Sequence, residues 1–477
     1  MSQTFTLQSV LVLSEAGYQT QDVQVREGII AAIGPNLSVI GEPIDGRGKL
    51  LLPGFVNAHT HSPEMWCRGL IPPLPLELWL GVLYQCPPLT PEQTYLAALW
   101  TAAETLLSGG TTLVDHLILT PGQELETIAA AAQAYQEIGI RACIAPLIQD
   151  HPMAVGLPTG QASGQLATTR QTQAVLELME TAVQRHHQPA DGLYIAPGPT
   201  GFQLCSEALF EGCVELSQRY DLCLHTHLLE TRAQQMLAYE RYGVSGVEYL
   251  NRIGFLGSKT SLAHGVWLDD SDIDLLAMTG ATIVHNPLSN LRLGSGIAPL
   301  LKYRQAGVNV TFGCDGSASN DGQDLLEAIK LGTMLHNPTD FEYRNWLSLP
   351  TAASMASLGG AKGLGLQEEI GSLTVGKQAD LVLYDLSDWS MLPASDPLGL
   401  LLLGRPVNLI DRLWVGGRPI LQDRQLKTVE LANLRQRLLQ GRSEWVTAPP
   451  ALNQALEEQY RAVMGLGAGA KASAGKN

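Results

Sequence analysis

The sequence predicts an α/β protein, a TIM-like (β/α)8 barrel with a small β-sandwich domain assembled from both chain ends. Three observations predict it. Between residues 51 and 365, eight short apolar runs (51–59, 111–117, 141–147, 192–197, 222–227, 260–264, 281–285 and 309–314) alternate with segments whose apolar residues recur every three or four positions. The stretches 6–44 and 379–420 share another texture, brief alternations of apolar and polar residues broken by Gly, Glu and Pro. No Gly-rich phosphate loop follows the first run, so an open dinucleotide-binding sheet loses its main support.

Taken in order, residues 1–50 supply the first part of the end domain, with strand signals in Ser9-Val10-Leu11-Val12-Leu13, Asp22-Val23-Gln24-Val25 and 28–34. The barrel spans 51–365. Its helices include 92–107, 173–186, 206–219 and 324–335, rich in Ala, Leu, Gln and Glu. About 250 residues make an ordinary barrel of this kind, so the segment has room for loop insertions. Residues 366–425 return to β texture and complete the end domain. Two helices are expected at 431–445 and 451–464, within a C-terminal segment 426–464, and the tail 465–477 is too poor in large apolar residues to order itself.

Composition narrows the function classes. With 46 acidic against 30 basic residues, the formal charge of −16 repels nucleic-acid phosphates and anionic lipid, so neither nucleic acid nor membrane is an expected partner. The longest aliphatic patch, 398–403, is far below the about 20 residues a membrane-spanning helix needs. Seven cysteines without a Cys-x-x-Cys pair read as reduced thiols of a cytoplasmic protein, and no basic leader precedes an apolar block at the N-terminus.

In a barrel, chemistry collects where strands end and loops begin. The first run ends in His59-Thr60-His61, the fifth in His225-Thr226-His227 with Glu230 beyond, the sixth in His264, the seventh in His285 and the eighth in Cys314-Asp315. Six of the eleven histidines thus fall at strand ends. Alternate residues of a strand share a face, so His59 and His61 can hold one ion. Three imidazoles and a carboxylate suit Zn2+, and Fe2+ accepts the same donors. Either His225 or His227 could be the third imidazole; His227 is preferred because it lies nearer the C-terminal end, leaving His225 as a packed, hydrogen-bonded neighbour. The fourth run has no lysine to bridge two metals, which favours one ion. A bound ion lowers the pKa of its water to about 7, and Glu230 is placed to carry the proton.

The loop 62–89 is expected to cover the mouth, with Trp66 and Trp79 positioned to stack on a flat ring, while Gln149 and His151 after the third run are further substrate-contact candidates. His116, His186, His187 and His336 are read as structural.

Together, His59-Thr60-His61, His227-Leu228-Leu229-Glu230-Thr231, Ala263-His264, the 285–293 stretch beginning His285-Asn286-Pro287, the 313–322 stretch around Asp315 and Gly371-Ser372-Leu373-Thr374-Val375-Gly376-Lys377 resemble the amidohydrolase superfamily. The likeness is to its branch of adenosine-type and 8-oxoguanine deaminases and triazine hydrolases. The resemblance implies one metal held by His59, His61, His227 and Asp315, Glu230 as proton shuttle, His264 polarising the attacking water or the developing tetrahedral centre, and Asp315 accepting a proton. It implies a hydrolase of carbon–nitrogen bonds other than peptides, a cyclic-amidine deaminase that attacks a small N-heteroaromatic ring with metal-bound hydroxide. A homodimer is implied as well. His285 would shape the pocket floor or fix its own loop. Two departures bear on substrate: an acidic residue for ribose hydroxyls is missing from the region 84–88, and a histidine is missing near Gly198-Pro199-Thr200. A free base or other small ring is therefore expected. The alternatives are a triazine-type hydrolase expelling halide or another group, a nucleoside deaminase, and, in another class, a non-catalytic scaffold.

Overall fold

Eight parallel strands are present, and their side chains explain why they are central. The computed structural model describes residues 3–14, 17–153, 156–159, 171–442, 445 and 448–466; from residue 467 on, the expected disordered tail lies outside these. Phe55–Thr60 (β1), Gly110–Ile118 (β2), Arg141–Ile148 (β3) and Leu193–Ile195 (β4) pair in parallel, and β3 also pairs with Gly198–Pro199. Leu224–Leu228 (β5), Thr260–His264 (β6), Thr282–His285 (β7) and Asn309–Phe312 (β8) form a second parallel sheet. Nearly every residue in these strands is buried, polar ones such as His59, His225 and Thr226 included, as expected of parallel strands covered on both faces.

The two sheets meet at both edges. The Asp315 amide donates to the His59 carbonyl (2.9 Å), the His225 amide to Pro197 (3.2 Å) and the His227 amide to Thr200 (3.3 Å). Since every strand runs the same way, their C-terminal ends share one rim. Helices Pro91–Leu107, Thr172–His186, Glu207–Tyr220 and Leu325–Met334 lie within a residue or so of their expected places. Ser206 and Asp324 fall just outside the last two, where their side chains cap the Leu209 and Glu327 amides.

The expected run 51–59 is corrected to two strands. Lys49–Pro53 belongs to the end sheet and β1 starts at Phe55. Gly54 makes the break: its amide donates to Asp380 (2.9 Å), and a Cβ there would lie 2.1 Å from Thr111 Oγ1. Lys49–Pro53 pairs with Phe5–Ser14 on one side and Leu381–Asp385 on the other, so both chain ends join one nine-stranded sheet. That sheet has its own core of Phe5, Leu7, Val23, Leu381, Leu383 and Trp414. Arg141, opening β3, fastens it to the parallel strands by donating to both oxygens of buried Asp380 (3.2 and 3.1 Å).

The last two helices are shorter than expected, Leu431–Arg442 and Gln454–Val463, the second beginning where Asn453 caps the Ala455 and Leu456 amides. Leu456 packs at Gly81 of the helix Leu76–Leu83, which lies over the rim. Among the described residues no helix is long and apolar enough to cross a membrane.

Candidate active site

Three imidazole nitrogens and a carboxylate converge at the rim. His61 Nε2 lies 3.2 Å from His227 Nε2, and Asp315 Oδ1 lies 3.3 Å from His59 Nε2 and 3.5 Å from His61 Nε2. The tautomers follow from their other partners. His61 Nδ1–H donates to the His116 carbonyl (2.6 Å) and His227 Nδ1–H to the Thr200 carbonyl (2.7 Å), and a carbonyl can only accept. In the neutral tautomers these bonds select, both Nε2 atoms carry lone pairs. His59 Nδ1 meets His225 Nε2 (2.8 Å), whose Nδ1 reaches Ser261 Oγ (3.1 Å), while His59 Nε2 is buried without any partner.

Lone pairs facing one another at such distances repel unless a cation lies between them. The donor set fits a divalent metal. Burial pushes the His59 imidazole well below its ordinary range and that of His227 down to about 3, so both are neutral donors. For Asp315 burial acts upward, but the nearby His59 and the other surrounding imidazoles hold the carboxyl well below the usual carboxylate range. Asp315 (φ 63°) and His264 (φ 78°) both occupy the left-handed region, uncommon for side chains other than Gly and typical of sites where position matters more than backbone ease.

Beside this cluster, His264 Nε2 faces Glu230 Oε2 at 3.6 Å and Asp315 Oδ2 at 3.9 Å. Its Nδ1 bonds Asn290 Oδ1 (2.9 Å), which gives the 285–293 motif a task at this site: Asn290 orients His264. Ser295 Oγ donates to Glu230 Oε1 (3.0 Å) and the Glu230 amide donates to Gln234 (2.8 Å). Burial raises the Glu230 carboxyl to about 7. A carboxyl at that value gives and takes protons near neutrality.

A cavity of about 60 Å3 lies in front of these groups, walled by Trp79, Leu80, Leu83, Ile118 and Leu293. Of the two tryptophans expected at the mouth, Trp79 lines this cavity. Trp66 is elsewhere: it sits in the buried turn Ser62–Cys67, its indole N–H donates to Gln93 (2.9 Å), and its ring packs on Trp445. Gln149 donates to the His151 carbonyl (3.2 Å), and neither residue lines this cavity. His285 pairs with His336 (3.1 Å) behind the rim, against Phe312.

Three residues at the site escape the reading of the sequence. Glu64, buried and lining the cavity, accepts from the Ala318 amide (3.2 Å); a Cβ on Gly316 would fall 1.8 Å from its Oε2. Its spacing from His61 repeats that of Glu230 from His227, a signal that could have found it. His116, expected to be structural, stacks on His227 (ring centroids 4.7 Å apart) and belongs with His59, His61 and His227 to a group whose ligand atoms lie within 4.8 Å. Asp115 accepts from the Ser62 amide (2.9 Å), Ser62 Oγ (2.7 Å) and Tyr135 (2.6 Å), pinning the turn after His61.

The family model described as the Amidohydrolase family matches residues 50–420. The chain belongs to the amidohydrolase family. It is similar to the 8-oxoguanine deaminase of Pseudomonas aeruginosa, 35% identical over 395 residues, which cover 82% of this chain and 86% of that one. A 5-methylthioadenosine/S-adenosylhomocysteine deaminase of Thermococcus onnurineus is 33% identical over 408 residues, 85% of this chain and 90% of the relative. Among solved structures, the atrazine chlorohydrolase of Arthrobacter aurescens TC1, complexed with zinc, matches with a TM-score of 0.83 and 27% identity over 91% of this chain and 99% of that one. This amidohydrolase is accordingly a hydrolase with a mixed α/β fold of TIM-barrel type.

Proposed function

We propose that this amidohydrolase is a metal-dependent aminohydrolase that deaminates a small N-heteroaromatic ring. The observation that carries the reading is the meeting of three imidazole nitrogens with Asp315 directly beside the buried Glu230–His264 pair. His59, His61, His227 and Asp315 would hold one divalent ion, zinc first and ferrous iron second. Such an ion supplies water that is acidic enough to react near neutrality. Glu230 takes the proton of the attacking water and hands it to the departing ring substituent, so that the C–N bond breaks and ammonia leaves. His264, fixed by Asn290, steadies the oxygen that adds to the ring carbon, and Asp315 accepts its remaining proton. Trp79 offers an aromatic face to the ring.

The finer architecture belongs to the same reading: an eight-stranded barrel at 51–365, closed by the amide bonds at both sheet edges, a β-sandwich from 1–50 and 366–425, and C-terminal helices at 426–464. Seven free cysteines support a cytoplasmic setting, and a homodimer is the assembly to test by sedimentation.

The deaminase relatives support ammonia as the leaving group, and the likeness to a chlorohydrolase supports halide as the second reading. Metal-loaded protein should release ammonia, with no halide, from a panel of aminopurines, aminopterins and chloro- and aminotriazines. Halide release without ammonia would replace the first reading by the second. Glu230→Gln should keep its metal and lose turnover by about 10²–10⁴; unchanged turnover would remove Glu230 from the mechanism.

A further inference from the structure

We infer that the ring this enzyme accepts carries an apolar substituent, seated in a second compartment that opens from the reaction cavity. The inference rests on the proposed function and names the substrate more narrowly. The second cavity, of about 250 Å3, is the larger of the two and shares Glu64, Leu83, Tyr84 and Ile118 with the first. Those shared residues stand between the two cavities, so the arm of a ring held before the histidines would have to pass beside them into the second.

Beyond them the lining includes Cys86, Pro87, Pro88, Leu89, Leu119 and Trp445. Of its polar groups, the buried Trp445 indole N–H stands without a hydrogen bond, and Thr120 and Glu64 are engaged. Thr120 Oγ1 donates to the Leu89 carbonyl (2.7 Å), the Thr120 amide donates to Thr127 Oγ1 (3.3 Å), and Glu64 is held by the Ala318 amide. Two of the lining residues are prolines in sequence, Pro87-Pro88, which have no N–H to offer. A hydroxylated arm such as ribose would give up its water here for too few partners. An alkyl or aryl arm, in contrast, leaves water for an apolar wall and gains by burial.

The test uses metal-loaded full-length protein and aminopurine and aminotriazine series bearing hydrogen, methyl, propyl, benzyl or ribosyl arms. Ammonia release gives kcat/KM, and calorimetry on the matching deaminated products gives Kd. Both should improve about fourfold per methylene to propyl, benzyl should equal or exceed propyl, and ribosyl should not exceed methyl. Cys86→Trp and Leu119→Trp, which crowd the compartment from different sides, should each lower the propyl-to-hydrogen ratio at least tenfold.

A flat or falling series, a best ribosyl compound, or an unchanged ratio in both variants would overturn the inference while ammonia release from the bare ring upheld the function. Affinity that climbs with arm length without any ammonia release would do the reverse. Binding by no member would overturn both.

Discussion

β1 and β5 end in the same words. His59-Thr60-His61 is followed by Glu64, and His225-Thr226-His227 by Glu230, at one spacing. On β1 both Nε2 atoms face Asp315, at 3.3 and 3.5 Å. On β5 only His227 reaches the cluster, and His225 stands behind His59, bonded to its Nδ1 (2.8 Å). The cause lies in the neighbouring strands. The chain leaving β8 bonds Asp315 to the His59 carbonyl (2.9 Å), bringing the carboxylate to the height of the first histidine of β1. Beside β5 the neighbour at that height is Ser261, which His225 meets through Nδ1. Alternation puts both histidines of a pair on one face; what the adjoining strand offers at that level makes one a ligand candidate and the other its support.

The largest effects should come from removing the histidines in turn. His61→Ala and His227→Ala should abolish stoichiometric metal, while His225→Ala should keep one ion per chain with affinity weakened about 10–100-fold, as for a group that orients a ligand. Metal analysis with chelator competition separates these outcomes. Equal loss in all three variants would erase the distinction between the strands.

The two glutamates extend the comparison to charge. Burial raises Glu230 from 4.5 to about 7 and holds Glu64 well above the ordinary range, so in the metal-free protein each binds its proton more tightly folded than unfolded. The stability contributed by Glu230 is therefore full below pH 4.5 and lost as the pH rises through about 7, a change of roughly 3 kcal/mol. Urea melts of metal-free protein should find Glu230→Gln more stable than its parent at pH 8 and similar at pH 4.5. Glu64→Gln should gain in the same direction. A parent–variant difference independent of pH would mean that folding leaves the Glu230 carboxyl unshifted.

These contrasts also mark how far the sequence could be read. Histidines and Asp315 at strand ends were legible because strand position alone brings them to the rim. Trp66, Gln149 and His151 were not, because a residue on a loop can turn toward the mouth or into its own packing, and Trp66 takes the second course by bonding Gln93. His285 ends a strand but pairs backward with His336, for the space beside it is opened by Gly332 on a helix distant in sequence. Gly54 hid the division of the first run, since a single glycine between two apolar stretches gives no sign that they enter different sheets. Asn290 acts across β6 and could be assigned only once His264 was in place.

The smallest effect tests the middle residues of the two tripeptides. Thr60 Oγ1 donates to the Asp315 carbonyl (3.0 Å) and Thr226 Oγ1 to the Pro199 carbonyl (2.7 Å), and both hydroxyls are buried. Valine at either place keeps the shape and leaves one carbonyl without that donor, a cost of about 1 kcal/mol in each case. Urea melts should therefore show similar losses. The bonds differ in what they steady: that of Thr60 holds the backbone of a candidate ligand, whereas that of Thr226 holds Pro199, whose successor Thr200 receives the His227 proton. Thr60→Val acts on the ligand's own backbone and Thr226→Val one residue removed from the group that orients a ligand, so metal affinity should fall more for the first. The reverse order would show that orientation of His227 limits the site more than the placement of Asp315.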